Sequence, residues 1–429
     1  MKVGKTSITL GMLLTATLLF AGGTQESGAA DAGGGQDAVT IRVWDRVQEM
    51  GDVVAMFNDK MESEGRSLRA EFELIPYEQQ VPKFMSALSA GTAPDVYSLD
   101  LVQYPYFISI GAFLDITDRF NALPFKDELP AGILRLGSMD GRVYAMPYEI
   151  DVSHILYNKQ MFRDAGLDPD QPPRTWDEMI EYSQALTVDR DGDGNNDQWG
   201  FALVGQTAGE YMFWFMPFVW NNGGRMFDDQ GQVVFDSPET REALQFWYDL
   251  AHTYNVAPVS SAQWSPGDRY NAFVAGNLAM FLGGNFNITS ILEDAPDLDF
   301  GVALMPRGRG DYATFGGGNL VGITTQSEHP DEAWEFLQFA YSEDALVEAY
   351  GRRMALIPRR DLYDNEYYRQ IPQMRQYAEF LNYAVTPYTF NYNQIYDPVI
   401  YNLQGALLGD IPVDDAVATA ADEISKLVE

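Results

Sequence analysis

Residues 189–201 read DRDGDGNNDQWGF, with Asp189, Asp191, Asp193, Asn195 and Asp197 at every second position and Gly194 among them. That spacing fills positions 1, 3, 5, 7 and 9 of an EF-hand-like calcium loop, with glycine at position 6 and the Asn195 carbonyl as the position-7 ligand. Position 12 is Gly200, where a full EF-hand carries a bidentate glutamate. The loop is therefore not a complete EF-hand, and its missing carboxylate has to come from elsewhere. An acidic turn holding sodium or water is the alternative. The segment links a predicted helix to a predicted strand, QWGFALV, and its four crowded acids repel one another. The expected Ca2+ is thus a structural fastener and not a reagent.

A second chemistry is dispersed along the chain. A neutral sugar offers an apolar C–H face and a belt of hydroxyls, which flat aromatic rings and planar polar side chains recognise together. Aromatic residues make up 13 % of the sequence, and several stand beside polar ones in predicted loops: Trp44-Asp45, Tyr148-Glu149, Trp220-Asn221 and Trp264-Ser265. These are candidate ligand contacts, with packing in the core or a lid as the competing role. Asp45 and Asp100 follow predicted strands, beyond whose carboxyl ends open α/β sheets bind ligands; helix capping is the alternative. Glu149 and Asp151 lie in YAMPYEID, where buried carboxylates would accept hydroxyl hydrogen bonds strongly or form a hinge ion pair. The run EYMFWFMPFVW (210–220) predicts a core helix with Trp214 or Trp220 turned into a cleft. Arg353, beside Arg352, has the planar fork for hydroxyls or for an acid such as Glu149; residence on the surface is the alternative.

Catalytic constellations are missing from the sequence. It contains no G-x-S-x-G elbow, H-E-x-x-H, P-loop or G-x-G-x-x-G, and its three histidines (His154, His252, His329) fall in different predicted elements.

The elements that must position these residues alternate. VTIRVW (39–44) and AEFELIP read as strands, and 95–99 as a short third one. Between them run predicted helices at about 50–64 and over Val81, Phe84, Met85 and Leu88, the latter stopped by Gly91. That order predicts an α/β layer with a largely parallel sheet. Later helices open at Thr175, whose hydroxyl and Glu178 form a capping box, at Ser237-Pro238 and at Pro330. Ala243, Trp247, Leu250, Ala251 and Tyr254 form the predicted buried stripe of the second. YAMPYEID (144–151) and the glycine-rich 305–319, MPRGRGDYATFGGGN, read as crossings between lobes.

The chain has 429 residues, too many for one compact core, so two lobes are expected. Its 28 basic and 62 acidic residues give a net charge of −34. Such a surface repels nucleic-acid backbones and anionic lipid and excludes both as partners, leaving metal ions and neutral or cationic solutes. The N-terminus reads as a signal peptide over 1–23: Lys2 and Lys5, then an apolar core from Ile8 to Phe20, then Ala21-Gly22-Gly23. A flexible lead follows over 24–38. With no cysteine there is no lipid anchor, disulfide or thiolate metal site, so an exported, periplasmic monomer is expected.

Seven stretches in order carry a resemblance: VTIRVWD; SALSAGTAPDVYSLD (86–100); DGRVYAMPYEIDVSHILYNKQMFRDAGLDP (140–169); PPRTWDEMIEYSQALT (172–187); WNNGGRMFDDQGQVVFDSPETREALQFWYDL (220–250); AFVAGNLAMFLGG (272–284); and TFGGGNLVGITTQSEHPDEAWEFLQFAYSEDA (314–345). In this pattern the sequence resembles the extracellular sugar-binding proteins of ABC importers, the maltose-binding-protein-like group, from residue 39 to its end. The resemblance implies a two-lobed α/β fold of the type II-like periplasmic-binding-protein kind, with crossing segments as the hinge. It also implies a saccharide in the interlobe cleft, a transmembrane ABC permease as partner, and no reaction on the solute. The implied division is 39–147 plus 315–354 for lobe 1 and 148–314 plus 355–429 for lobe 2. Asn285 and Gly317 join the candidate contacts. Where the family often has a Trp after the Gly pair of AMFLGG, this chain has Asn285-Phe286. Two rival functions differ in chemistry: a secreted calcium-dependent glycoside hydrolase using two carboxylates such as Glu149 and Asp100, and a receptor of the same fold for a cationic solute such as a polyamine.

Overall fold

A computed structural model describes residues 39–428, apart from 207, 229, 354, 390 and 391. The expected signal peptide and flexible lead lie outside the described residues. The strands are β1 (Val39–Asp45), β2 (Leu68–Leu74), β3 (Val96–Asp100), β4 (Ser138–Met139), β5 (Arg142–Val143), β6 (Ala145–Asn158), β7 (Met280–Gly284), β8 (Phe300–Ala303), β9 (Thr314–Ile323) and β10 (Ala384–Val385). β1 forms where β-branched residues alternate, burying Ile41 and Val43. The helix Glu49–Ser63 that follows buries Met50, Val53, Val54, Phe57 and Met61, one stripe at helical spacing, with acids in its first turn and Lys60 in its last. The helix Gln80–Ala90 ends at Gly91, which adopts the left-handed conformation.

One sheet runs in the order β2-β1-β3-β9-β6-β7, with β10 on β9 and β8 on β6. β1 is parallel to both β2 and β3. Beyond these strands the largely parallel sheet expected from the strand–helix alternation gives way, with only the two-residue β10 parallel to β9. β9 is antiparallel to β3 and to β6, and β7 and β8 are antiparallel to β6. The reason is that β6 leads the chain out of this part of the sheet and β9 brings it back in the opposite direction.

β6 is 14 residues long, far beyond the usual strand of about five or six. Residues 145–152 pair with β9, whereas 153–158 pair with β7 and β8. The register slips between Pro147 and Ile150: Tyr148 and Glu149 on β6 stand against Asn319 alone on β9, a β-bulge. Gly318 makes the bulge possible. Its φ is 110°, and a Cβ there would stand 2.1 Å from the Glu149 carbonyl oxygen.

The other helices begin largely where their caps predicted. The Thr175 hydroxyl accepts from the Glu178 amide at 3.2 Å, but the Glu178 carboxylate reaches one residue further back, to the Arg174 amide at 2.6 Å. Ser237 caps Pro238–His252, which buries Ala243, Trp247, Leu250 and Ala251; Tyr254, beyond its end, is exposed. Pro330–Ala340 buries Ala333, Phe336, Leu337 and Ala340. QWGFALV is extended but does not form a laddered strand: it makes isolated bridges at Gln198 and Trp199. No described helix is long and apolar enough to cross a membrane.

Candidate functional site

Where β1 and β3 end, the β6 bulge and the glycines of β9 come together, and four carboxylates gather around one guanidinium. Arg46 Nε donates to Asn319 Oδ1 at 2.6 Å, and Arg46 Nη1 lies 3.6 Å from Asp100 Oδ2. The Asn319 amide in turn donates to Glu149 Oε2 at 3.1 Å and to Asp45 Oδ1 at 3.4 Å. Asp151 Oδ1 is buried with no hydrogen-bond partner. The side chain of Asp151 fits only because position 317 is glycine, since a Cβ there would stand 2.0 Å from Oδ1.

Burial sets the protonation of this group. It pushes Asp45 up to about 7, against the lowering effects of the hydrogen bond from the Val47 amide and of the Arg46 charge. It pushes Glu149 up to about 8 and Asp151 to about 6, in both cases opposed by the Arg46 charge. Asp100 is raised for the same reason. Burial also disfavours the Arg46 cation, but the surrounding carboxylates outweigh it and its proton is held more tightly than usual.

A cavity of about 330 Å³ opens onto this group. Arg46, Asp100, Asp151, Gly317 and Gly318 line it, together with Phe213, Trp214, Phe286, Phe315 and Tyr392. The rings form a connected wall. Phe213 packs 5.3 Å from Phe315, 5.3 Å from Trp214 and 6.2 Å from Phe286, and Trp220 stacks on Phe315 at 6.1 Å. Phe213 and Trp214 sit in a π-helical turn, Tyr211–Phe215, that runs straight into the helix Met216–Asn221. Such wide turns recur at functional sites because they re-aim side chains within a helix. The cavity thus offers flat apolar faces beside fixed hydrogen-bond acceptors and one donor fork, which suits a polyhydroxylated ring.

Of the residues singled out in the sequence, Asp100, Asp151, Trp214 and Gly317 line this cavity. Asp45 and Glu149 stand behind it on Asn319. Asp100 also caps the turn Leu101–Gln103, accepting from the Val102 amide at 3.2 Å, whereas Asp45 accepts from the Val47 amide at 3.1 Å in a local turn and caps no helix. Asn285 buttresses β6, accepting from the Val152 amide at 3.1 Å.

Five candidates are placed elsewhere. Trp44 alternates with Asp45 on β1, so its ring goes to the core, edge-on to Tyr97 at 5.7 Å and under Lys83. Tyr148 is 1 % exposed and packs between Tyr341 and Tyr350. Asn221 is buried and holds the Ala313 amide and the Met305 carbonyl. Trp264 lines a separate cavity with Arg190, Asp191, Asp197 and Trp199. Arg353 is 48 % exposed and pairs with Glu49 and Asp52, not with Glu149.

Reading the sequence missed Arg46, Asn319, Phe213, Phe315 and Tyr392. Arg46 had a signal, a single cation directly after Trp44-Asp45. Phe315 stood next to the glycines of TFGGGN. Tyr392 is brought in by tertiary packing from far along the chain, and nothing local marks it.

The acidic loop forms a cluster of its own. Carboxylate oxygens of Asp189, Asp191 and Asp197 lie within 4.8 Å of one another, the one group of three or more His, Cys or acidic side chains so gathered among the described residues. Asp189 accepts from the Gly192 and Gly194 amides, both at 2.8 Å. The Asp193 carboxylate instead accepts from the Asn195 amide at 2.8 Å. Gly200 could not be a glutamate, because a Cβ there would stand 2.2 Å from the Ser183 carbonyl oxygen.

A family model for bacterial extracellular solute-binding proteins matches residues 54–346. An arabinooligosaccharide-binding protein of Halalkalibacterium halodurans is 24 % identical over 327 residues, covering 74 % of this chain and 70 % of the relative. A solute-binding protein of Thermotoga lettingae, solved with alpha-D-tagatose bound, is 25 % identical with a TM-score of 0.72, covering 91 % of this chain and 100 % of that one. The cyclic alpha-maltosyl-1,6-maltose binding protein of Arthrobacter globiformis is also 25 % identical, with a TM-score of 0.77, covering 91 % and 99 %. The strand order, the two long crossing strands and this match over most of the described chain lead to one assignment: the protein belongs to the bacterial extracellular solute-binding proteins and has their two-lobed α/β fold.

Proposed function

We propose that this protein is the carbohydrate receptor of an ABC importer. It captures a sugar or oligosaccharide in the interlobe cleft, closes on it, and presents the closed form to a transmembrane permease. One observation carries the reading: a single cavity joins the ring wall of Phe213, Trp214, Phe286 and Phe315 to Asp100, Asp151 and Arg46. Apolar sugar faces stack on the rings, and the carboxylates accept hydroxyl protons in bonds stronger than neutral pairs. The saccharides named for the related proteins support the same ligand class.

The chain carries no reaction in this reading. Arg46 and Asn319 tie the acids into a fixed network, which suits holding a solute unchanged. Lobe 1 comprises 39–147 plus 315–354, and lobe 2 comprises 148–314 plus 355–429. The passage of β6 from β9 to β7 and β8, between Val152 and Ser153, supports a crossing on this strand a few residues beyond that boundary. The protein acts as an exported monomer in the periplasm. Asp189, Asp191 and Asp197, with Asp193 and Asn195 beside them, hold a structural Ca2+. Gathered hard oxygen donors fit that ion, and no redox or thiolate chemistry is available to it.

Isothermal titration with maltotriose, arabinotriose and tagatose, with chromatography of the mixtures afterwards, tests the function. One-to-one binding of at least one saccharide, recovered intact, is expected. Steady conversion to shorter products would replace the receptor with a hydrolase. Failure of all neutral saccharides to bind would remove the sugar.

A further inference from the structure

Against the aromatic wall lies a buried ion pair, Arg269 with Glu210, of which Glu210 itself borders the cavity. Arg269 and Glu210 are 1 % and 3 % exposed, with Nη2 to Oε1 at 2.8 Å. The other Glu210 oxygen accepts from the Gly205 and Gln206 amides at 3.1 and 2.8 Å. Arg269 Nη1 donates to the Trp264 carbonyl at 3.0 Å. Its guanidinium lies 5.0 Å from the centroid of Trp214, whose indole N–H donates to the Gly283 carbonyl at 2.9 Å. The indole is therefore fixed from two directions: by a cation on its face and by β7 at its edge.

A buried ion pair is weak support for stability, since two apolar side chains of the same volume do as well or better. What a guanidinium adds is direction. Its planar fork reaches two fixed acceptors while its face meets an indole. The acceptors here belong to the two segments that border the cavity: Glu210 opens the π-helical turn, and Trp264 leads into the helix Pro266–Val274. The π-helical turn carries Phe213, which stands edge-on to Trp214 and packs on Phe315 and Phe286.

We propose that Arg269, held by Glu210, is a positioning residue for ligand binding: it sets the indole of Trp214, and through it the ring wall on which the solute stacks. The proposal rests on the saccharide reading of the cavity.

The test is a double-mutant cycle with a ligand-free readout. Wild type, Arg269→Met, Trp214→Phe and the double variant are titrated with whichever of maltotriose, arabinotriose or tagatose binds the wild type tightest, well below the melting transition. Arg269→Met is expected to weaken binding about tenfold in the wild-type background and roughly twofold or less with Trp214→Phe. Arg269→Lys should not restore affinity, because an ammonium cannot hold both acceptors and face the ring. In protein labelled with 5-fluorotryptophan, the Trp214 resonance should move or broaden in Arg269→Met without any ligand. Should Arg269→Met misfold, the uncharged Glu210→Gln/Arg269→Met pair takes its place in both measurements. Equal losses in the two backgrounds, no loss, or an unmoved Trp214 resonance would overturn the assignment. If no saccharide binds the wild type, the sugar reading fails by itself, and the fluorine spectrum still decides whether Arg269 positions Trp214.

Discussion

At the scale of the residue, Asp151 is the most exacting member of the site. Its Oδ1 is buried against Gly317 without a side-chain partner while the residue lines the cavity, so it is an acceptor already desolvated beside the ligand space. Asp151→Asn, measured by titration calorimetry, is expected to weaken saccharide binding by about 10- to 100-fold, the value of a hydrogen bond to a charged group. Protonation supplies a second prediction. Glu149 rises from 4.5 to about 8 and Asp45 from 3.8 to about 7 because both are buried. A carboxyl that binds its proton more tightly when folded contributes stability that is complete below its unfolded value and is lost as pH rises through its folded value. The thermal midpoint of the ligand-free protein should therefore fall as pH rises from about 5 to 8, and Glu149→Gln should flatten that fall in a scanning-fluorimetry series. What the sequence disclosed at this scale was chemical type. Asp100, Asp151 and Trp214 were legible as polar or aromatic residues at element ends. Trp44 and Tyr148 had the same local signature and went to the core, because strand alternation and the bulge decide which face a side chain takes.

At the scale of the element, the β6 bulge and the acidic loop each allow a test. Gly318→Ala places a Cβ against the Glu149 carbonyl at a φ of 110°. The expected loss is about 2–4 kcal/mol, read from urea unfolding followed by circular dichroism. Removing divalent ions with EDTA is expected to lower the melting temperature of the wild type and to leave that of Asp189→Asn/Asp191→Asn nearly unchanged. Saccharide affinity at low temperature should be little altered. Loss of binding with an unmoved melting temperature would defeat the fastener. The helices were legible because caps and apolar stripes are local: Thr175, Ser237-Pro238 and Pro330 each mark a start. The antiparallel half of the sheet was not, since pairing between β3 and β9 joins residues more than 200 positions apart and no local pattern records strand direction.

At the scale of the whole molecule, the proposed receptor function requires closure of the two lobes on the solute. Small-angle scattering should record a smaller radius of gyration on adding a bound saccharide and no change with a saccharide that does not bind. The net charge of −34 repels anionic lipid, so delivery to the proposed permease would have to rely on a specific contact. Fold class was readable from seven ordered motifs, whereas the composition of the ring wall was not. Phe213, Phe286, Phe315 and Tyr392 come from four distant stretches, and only the closed chain makes them neighbours.

The long strand β6 carries a further consequence for anyone who would rebuild this protein. One ribbon serves both halves of the sheet, and its side chains turn over with every step. Inserting a single amino acid between Ala145 and Asp151 would turn over all that follows, putting Ile150 where Asp151 now lines the cavity. Recognition and framework are thus written on the same stretch of backbone, so new ligand preferences have to be grafted by exchange at fixed length and never by lengthening or shortening the ribbon.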